Sequence, residues 1–155
     1  MSALSAALRV RPGALPPDLW ALRPERLAFR GVEYVPDDQP ALVSTAPQAV
    51  LWLALAAEDL VVLGPYGEVG AFAALISAAR DVALESGRAR LVASVRNDEI
   101  ERFECLQRLG FLLVEARIGV VAAGDSAKRD EARMWGDIAA RDELVLALAA
   151  AAGSH

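Results

Sequence analysis

The sequence predicts one α/β domain, a mixed twisted sheet of about six to seven strands with helices on both faces. Three observations lead there. The chain has 155 residues, 55% apolar and 24% charged, which suits one domain with its own core. Leu60–Leu63 is a short continuous apolar run, as expected of a strand buried on both faces. After it the hydrophobic period turns helical through Ser86 and then returns to strand at Arg90–Val95, lengths that suit a parallel crossover.

The elements follow in order. Ala7–Arg11 reads as a short strand ended by Pro12. Pro16-Pro17-Asp18 opens a short helix over Asp18–Leu22, which Pro24 stops. Leu27–Val35 alternates as a strand around Gly31, and Pro36–Pro40 is a turn cluster. Ala41–Thr45 and Ala49–Ala56 are strands on either side of Pro47, and Leu60–Leu63 is the next. Gly64–Gly70 reads as a glycine-rich loop. The helix from Ala71 to Ser86 puts Phe72, Leu75, Ile76, Ala79 and Val82 on one face and ends at Gly87. Arg90–Val95 is strand, and Asn97-Asp98 opens a helix over Glu99–Leu109, with Asp98 and Glu101 forming a capping-box-like start. Phe111–Ile118 is strand, Ala122–Met134 a polar connection and Arg141–Leu148 the last strand. The domain is expected to span residues 1–152, with 153–155 as a disordered tail.

Composition narrows the chemistry. A net charge of −5 argues against nucleic acid as the main partner, because phosphate binding needs clustered Lys and Arg. The longest apolar stretches, near nine residues, fall short of the roughly 20 that cross a membrane. No basic segment precedes an apolar core at the N-terminus, so no secretory signal is expected and the cytoplasm is the expected location. Cys105 is the only cysteine and His155 the only histidine, which leaves no internal disulfide, no zinc cluster and no Ser-His or Cys-His nucleophile in the domain. The high apolar fraction is compatible with a homodimer.

Several segments together resemble the GNAT superfamily of acyl-CoA-dependent N-acyltransferases. Ala74–Arg80 followed by Gly87–Leu91 looks like the cofactor-side helix and next strand of that fold. Asn97-Asp98 with Gln107-Arg108-Leu109-Gly110-Phe111 resembles its "N-D-N … F-Y-x-x-x-G-F" signature, and Gly136–Ile138 with Arg141–Leu144 resembles the closing hairpin of one subgroup. The resemblance is specific over roughly the last 85 residues and weaker before Leu60. It implies two central parallel strands that splay apart, here Leu60–Leu63 and Arg90–Val95. It also implies acetyl-CoA as cofactor: the pantetheine arm pairs with the first strand at Val62 and Leu63, and the pyrophosphate lies on the amides of Gly67, Val69, Gly70 and Ala71. Asn97 is the implied contact at the end of the second strand. The acceptor would be a small-molecule or peptide amine.

The chain departs from that pattern at three places. Phe72 stands where a second glycine of G-x-G is usual, and a ring there threatens close approach of phosphates, so Phe72→Gly is expected to strengthen CoA binding. Glu68 brings a carboxylate beside them. Leu106 occupies the position of the proton-donating Tyr and has no proton to give. Neighbouring Cys105 points elsewhere on the helix, and a lone cysteine there more often packs than reacts. Tyr66 is the candidate acid in the loop and Glu58, next to Asp59, the candidate base, although both also fit ordinary surface roles. The sequence therefore supports two readings, a GNAT-like N-acyltransferase of weakened activity and a catalytically degenerate domain that binds a ligand or protein. A nucleotide-binding α/β protein ranks below both, because Gly67-x-x-Gly70 alone is a weak fingerprint.

Overall fold

The computed structural model describes residues 7–24, 27–29, 32–96, 99–117 and 143–150. Strands β1 (Leu8–Val10), β4 (Ala41–Thr45), β5 (Gln48–Leu55), β6 (Asp59–Gly67), β7 (Arg90–Arg96), β8 (Leu112–Arg117) and β9 (Glu143–Ala149) form one sheet in the order β1-β4-β5-β6-β7-β9-β8. A separate antiparallel pair joins β2 (Leu27–Phe29) to β3 (Val32–Tyr34). The helices are α1 (Pro17–Trp20), α2 (Phe72–Glu85) and α3 (Ile100–Arg108). Among the described strands only β6 and β7 run parallel, and α2 is the crossover between them.

Alternation along the strands sorts their side chains onto two faces. Leu51, Leu53, Leu60, Val62, Leu91, Ala93, Val95 and Leu146 pack with Phe72, Leu75, Ile76, Ala79 and Ala83 of α2 and with Leu106 of α3. Trp52, Val61, Leu63, Val92 and Val145 pack on the opposite face with Leu19 of α1 and Phe29 of β2. Helices thus cover both faces of a mixed sheet, as expected. No described helix is long and apolar enough to cross a membrane.

Two expectations change in detail. Leu27–Val35 is not one strand but two paired ones, with Leu27 opposite Tyr34. On α2 Val82 packs at the edge of the core as expected, and Ala83 joins that face fully buried. The larger change concerns Gly64–Gly67, which continues β6 rather than forming a loop, with Tyr66 opposite Val50 and Gly67 opposite Ala49. A bulge in the register between Val50 and Trp52 lets β5 accompany this stretch. Gly67, at φ +120°, is needed there because a Cβ would lie 2.4 Å from the Gln48 carbonyl oxygen and 2.7 Å from Ala49 Cα. The connection over 122–134 and the tail at 153–155 lie outside the described residues.

A substitution series checks that contact. Gly67→Ala is expected to cost well over ~2 kcal/mol in denaturant unfolding, because backbone must move as well as adopt a strained φ. Gly87→Ala, at φ +75° with nothing within 4 Å of its new methyl group, should cost only about 1 kcal/mol.

Candidate functional site

The site is built where β6 and β7 part. They pair at Asp59/Arg90, Leu60/Leu91 and Val61/Val92, and their pairing ends there. Beyond that point β6 stays with β5 as far as Gly67, whereas β7 stays with β9 as far as Arg96 opposite Glu143. The closed end is fastened by the Arg90 guanidinium, which donates to Asp59 Oδ1 at 2.9 Å, and by Arg88, whose Nε and Nη2 both donate to the Ala56 carbonyl. The open end is a split in the sheet, with Val62 and Leu63 on its β6 wall.

Where β6 ends, the chain turns through Val69–Ala71 into α2. The first amides of a helical segment have no carbonyl behind them within the helix. Here the Ala71 amide is taken by the Glu68 carbonyl, but those of Val69 and Gly70 open the turn ahead of that bond. Both residues are exposed, and a Cβ at Gly70 would meet only Pro47 Cγ, at 3.5 Å. Open, accessible amides at a helix start are the kind of group that can receive an anion. The expected obstructions are turned away from them. The Phe72 ring is buried in the core with Leu75 and Ile76 and does not stand over the amides, so Phe72→Gly would remove core packing rather than widen a phosphate site. Glu68 folds back on β5, where Oε2 accepts the Gln48 amide at 3.1 Å while its own amide donates to the Gln48 carbonyl at 2.8 Å.

The mouth of the split holds charged and aromatic groups that sequence reasoning left unassembled. Tyr66 stands with its ring 6.2 Å from Trp52. Arg102 reaches from α3 across to β6, donating from Nη2 to the Gly64 carbonyl at 3.0 Å and stacking 4.8 Å above the Tyr66 ring. Glu99 caps the Arg96 amide through Oε1 at 2.8 Å and sets Oε2 3.9 Å from Arg102 Nη1. Glu99 is the residue from which α3 starts, without a side-chain bond to the helix amides, and Asp98 lies outside the described residues. Opposite Arg96, the buried Glu143 accepts a 2.5 Å hydrogen bond from the Ser94 hydroxyl. Burial pushes the Tyr66 phenol above its ordinary value. Glu99 adds to that rise, and Arg102 and Arg96 offset part of it. At neutral pH Tyr66 is therefore a protonated donor.

The sequence candidates divide accordingly. Val62, Leu63 and Tyr66 lie on β6 beyond the point where it leaves β7, and Val69, Gly70 and Ala71 form the turn into α2. Gly67 adjoins that turn, but its lack of a side chain is imposed by β5. Glu58 is exposed at the turn before β6, at the closed end, roughly 20 Å of strand from Tyr66, so it is not brought to the mouth. Asn97 lies outside the described residues. Leu106 is fully buried and has no proton to give, and burial, the main cause, raises the Cys105 thiol and keeps it protonated. Glu99, Arg102, Ser94 and Glu143 escaped detection. A recess of 210 Å³ lies apart from the split, between Arg11, Trp20, Asp37 and Gln39, and shares with it only the Trp52 wall.

No protein-family model matches the chain, and no curated protein matches it. Solved structures do. An IAA acetyltransferase from Bacillus cereus superposes with a TM-score of 0.64 at 15% identity, over 92% of this chain and 97% of that one. The ribosomal-protein-S18-alanine N-acetyltransferase from Escherichia coli does so with a TM-score of 0.54 at 16% identity, over 96% and 97%. An acetyltransferase from Salmonella typhimurium, solved with its cofactor acetyl-CoA, gives 0.50 at 14% identity, over 76% and 68%. At these identities the likeness establishes a GNAT-like fold.

Two measurements check the site. Phe72→Gly is expected to lower stability by roughly 3–5 kcal/mol in denaturant unfolding. The raised Tyr66 value makes its contribution to stability fully present below about pH 10, the unfolded value, and lost as pH rises through the higher folded one. Tyr66→Phe should remove that alkaline loss from the pH–stability curve.

Proposed function

We propose that the chain is an N-acyltransferase that moves an acetyl group from acetyl-CoA to a small-molecule or peptide amine. The observation that carries this reading is the parting of β6 and β7 after three pairs, beside open amides at Val69 and Gly70. The residues fit the cofactor: Gly70 leaves room for phosphates, Phe72 is withdrawn into the core, and Glu68 is held by Gln48. On this reading the open amides of Val69 and Gly70 hold the pyrophosphate, with Ala71, whose amide is taken by the Glu68 carbonyl, behind them, and the β6 backbone at Val62 and Leu63 guides the pantetheine arm. Bound acetyl-CoA would supply an acyl group activated as a thioester.

The chain's own part is mostly placement. Holding an amine against a thioester contributes much of the acceleration in such reactions. The acceptor reacts as the neutral amine, so its ammonium proton passes to water at the mouth, and a second amine proton returns to Tyr66 as the amide forms. Tyr66 keeps its proton at neutral pH and can give it to the departing thiolate, the role that buried Leu106 cannot fill. The degenerate-domain reading rested on Phe72, Glu68 and Leu106 together, and the orientations of the first two remove most of its support.

Calorimetry with acetyl-CoA and CoA tests the reading. Saturation at 100 times Kd should add about 2.7 kcal/mol to the unfolding free energy. Tyr66→Phe should leave that shift intact and lower kcat by about 10²–10⁴-fold. Absence of any stability shift with either ligand would refute the assignment.

A further inference from the structure

We propose that Arg102 is the specificity residue of the split and that the mouth is built to receive a substrate carboxylate. This rests on the transferase reading above and names the chemistry of its substrate. The guanidinium lies in the split, its side chain only 16% exposed. A cation withdrawn from water is costly unless its N–H groups meet acceptors. Arg102 has five such donors. Among the described residues it makes one hydrogen bond, from Nη2 to the Gly64 carbonyl. Its Nε is enclosed and meets no acceptor. Its Nη1 is 3.9 Å from Glu99 Oε2, beyond hydrogen-bond length, and the other Glu99 oxygen is committed to the Arg96 amide.

The result is a fixed, half-satisfied fork. The Tyr66 ring supports its face and the Gly64 carbonyl anchors one tip, so its position is determined before any ligand arrives. A planar carboxylate can bridge Nη1 and the second hydrogen of Nη2 with two parallel hydrogen bonds, which an ammonium or neutral group cannot do. The phosphates of the cofactor have their own place at residues 69–71, so the group Arg102 reads belongs to the reacting end. The carboxylate can be carried by the acyl chain or by the acceptor amine. An amino-acid acceptor would set its carboxylate on Arg102 and its ammonium toward Glu99 and Glu143.

The test compares matched ligands on the whole chain. In the acyl arm, succinyl-CoA and uncharged butyryl-CoA are titrated by calorimetry. In the acceptor arm, phenylalanine and phenethylamine compete as acceptors from acetyl-CoA. Hydrogen bonds to a charged group predict about 10–100-fold preference for the carboxylate-bearing member in one arm, read as Kd or KM. Arg102→Met should bring the pair within about twofold while plain CoA binds as before, and Arg102→Lys should keep part of the preference. Melting curves of both variants control for folding, and the wild-type comparison needs no variant. Lack of preference in both arms, or an Arg102→Met variant that tightens every acyl-CoA equally, would show a mere plug and overturn the proposal. CoA binding without selectivity removes this inference alone. No binding of CoA removes the transferase reading, and this inference with it.

Discussion

Everything in this molecule depends on two neighbouring strands that begin as partners and then choose different ones. Three parallel pairs hold β6 to β7, and beyond Val61 and Val92 each strand keeps only its outer neighbour. A sheet edge exposed inside a domain leaves backbone groups in search of partners. Clamping the closed end with Arg90–Asp59 and Arg88–Ala56 fixes where the divergence starts. The bulge opposite Val50 and the conformations of Gly64 and Gly67 let β5 follow β6 past that point. The opening is thus made by backbone geometry, and side chains only furnish it.

That division explains how local departures from a familiar motif can leave a fold's capacity intact. Phe72 is compatible with an anion cradle because it is the first residue of α2 and its side chain belongs to the buried face shared with Leu75 and Ile76. Glu68 is tolerable near phosphates because one backbone hydrogen bond and one bond to its carboxylate tie it to Gln48. On the proposed reading Tyr66 on β6, kept protonated chiefly by its own burial, would stand in for the donor missing at Leu106, so that a strand rather than a helix would supply the acid.

How much of this was legible in the sequence follows from the range of the signals. The helical period of α2, the apolar run at the start of β6 and the strand at β7 are local patterns, and they appear where expected. Gly64–Gly67 was misread because glycine and proline mark turns, and only the partner strand reveals that here they carry a bulged continuation. Arg102 was invisible because Glu99-x-x-Arg102 looks like a solvated helix face, and its contact with Gly64 spans 38 positions. Ser94 and Glu143 meet across 49 positions with no motif to announce them. Glu58 is close in sequence to the central strand, and that strand's length sets it at the opposite end from Tyr66.

The central claim is that phosphates of a thioester cofactor settle on the amides at the start of α2, beside the split. Backbone amide resonances observed during a titration with CoA test this most directly. Selective, saturable shifts at Val69, Gly70 and Ala71, accompanied by Val62, Leu63 and Gly64 along β6, are the expected result. Saturation without movement of those amides, or shifts confined to the Trp20–Asp37 recess, would contradict it.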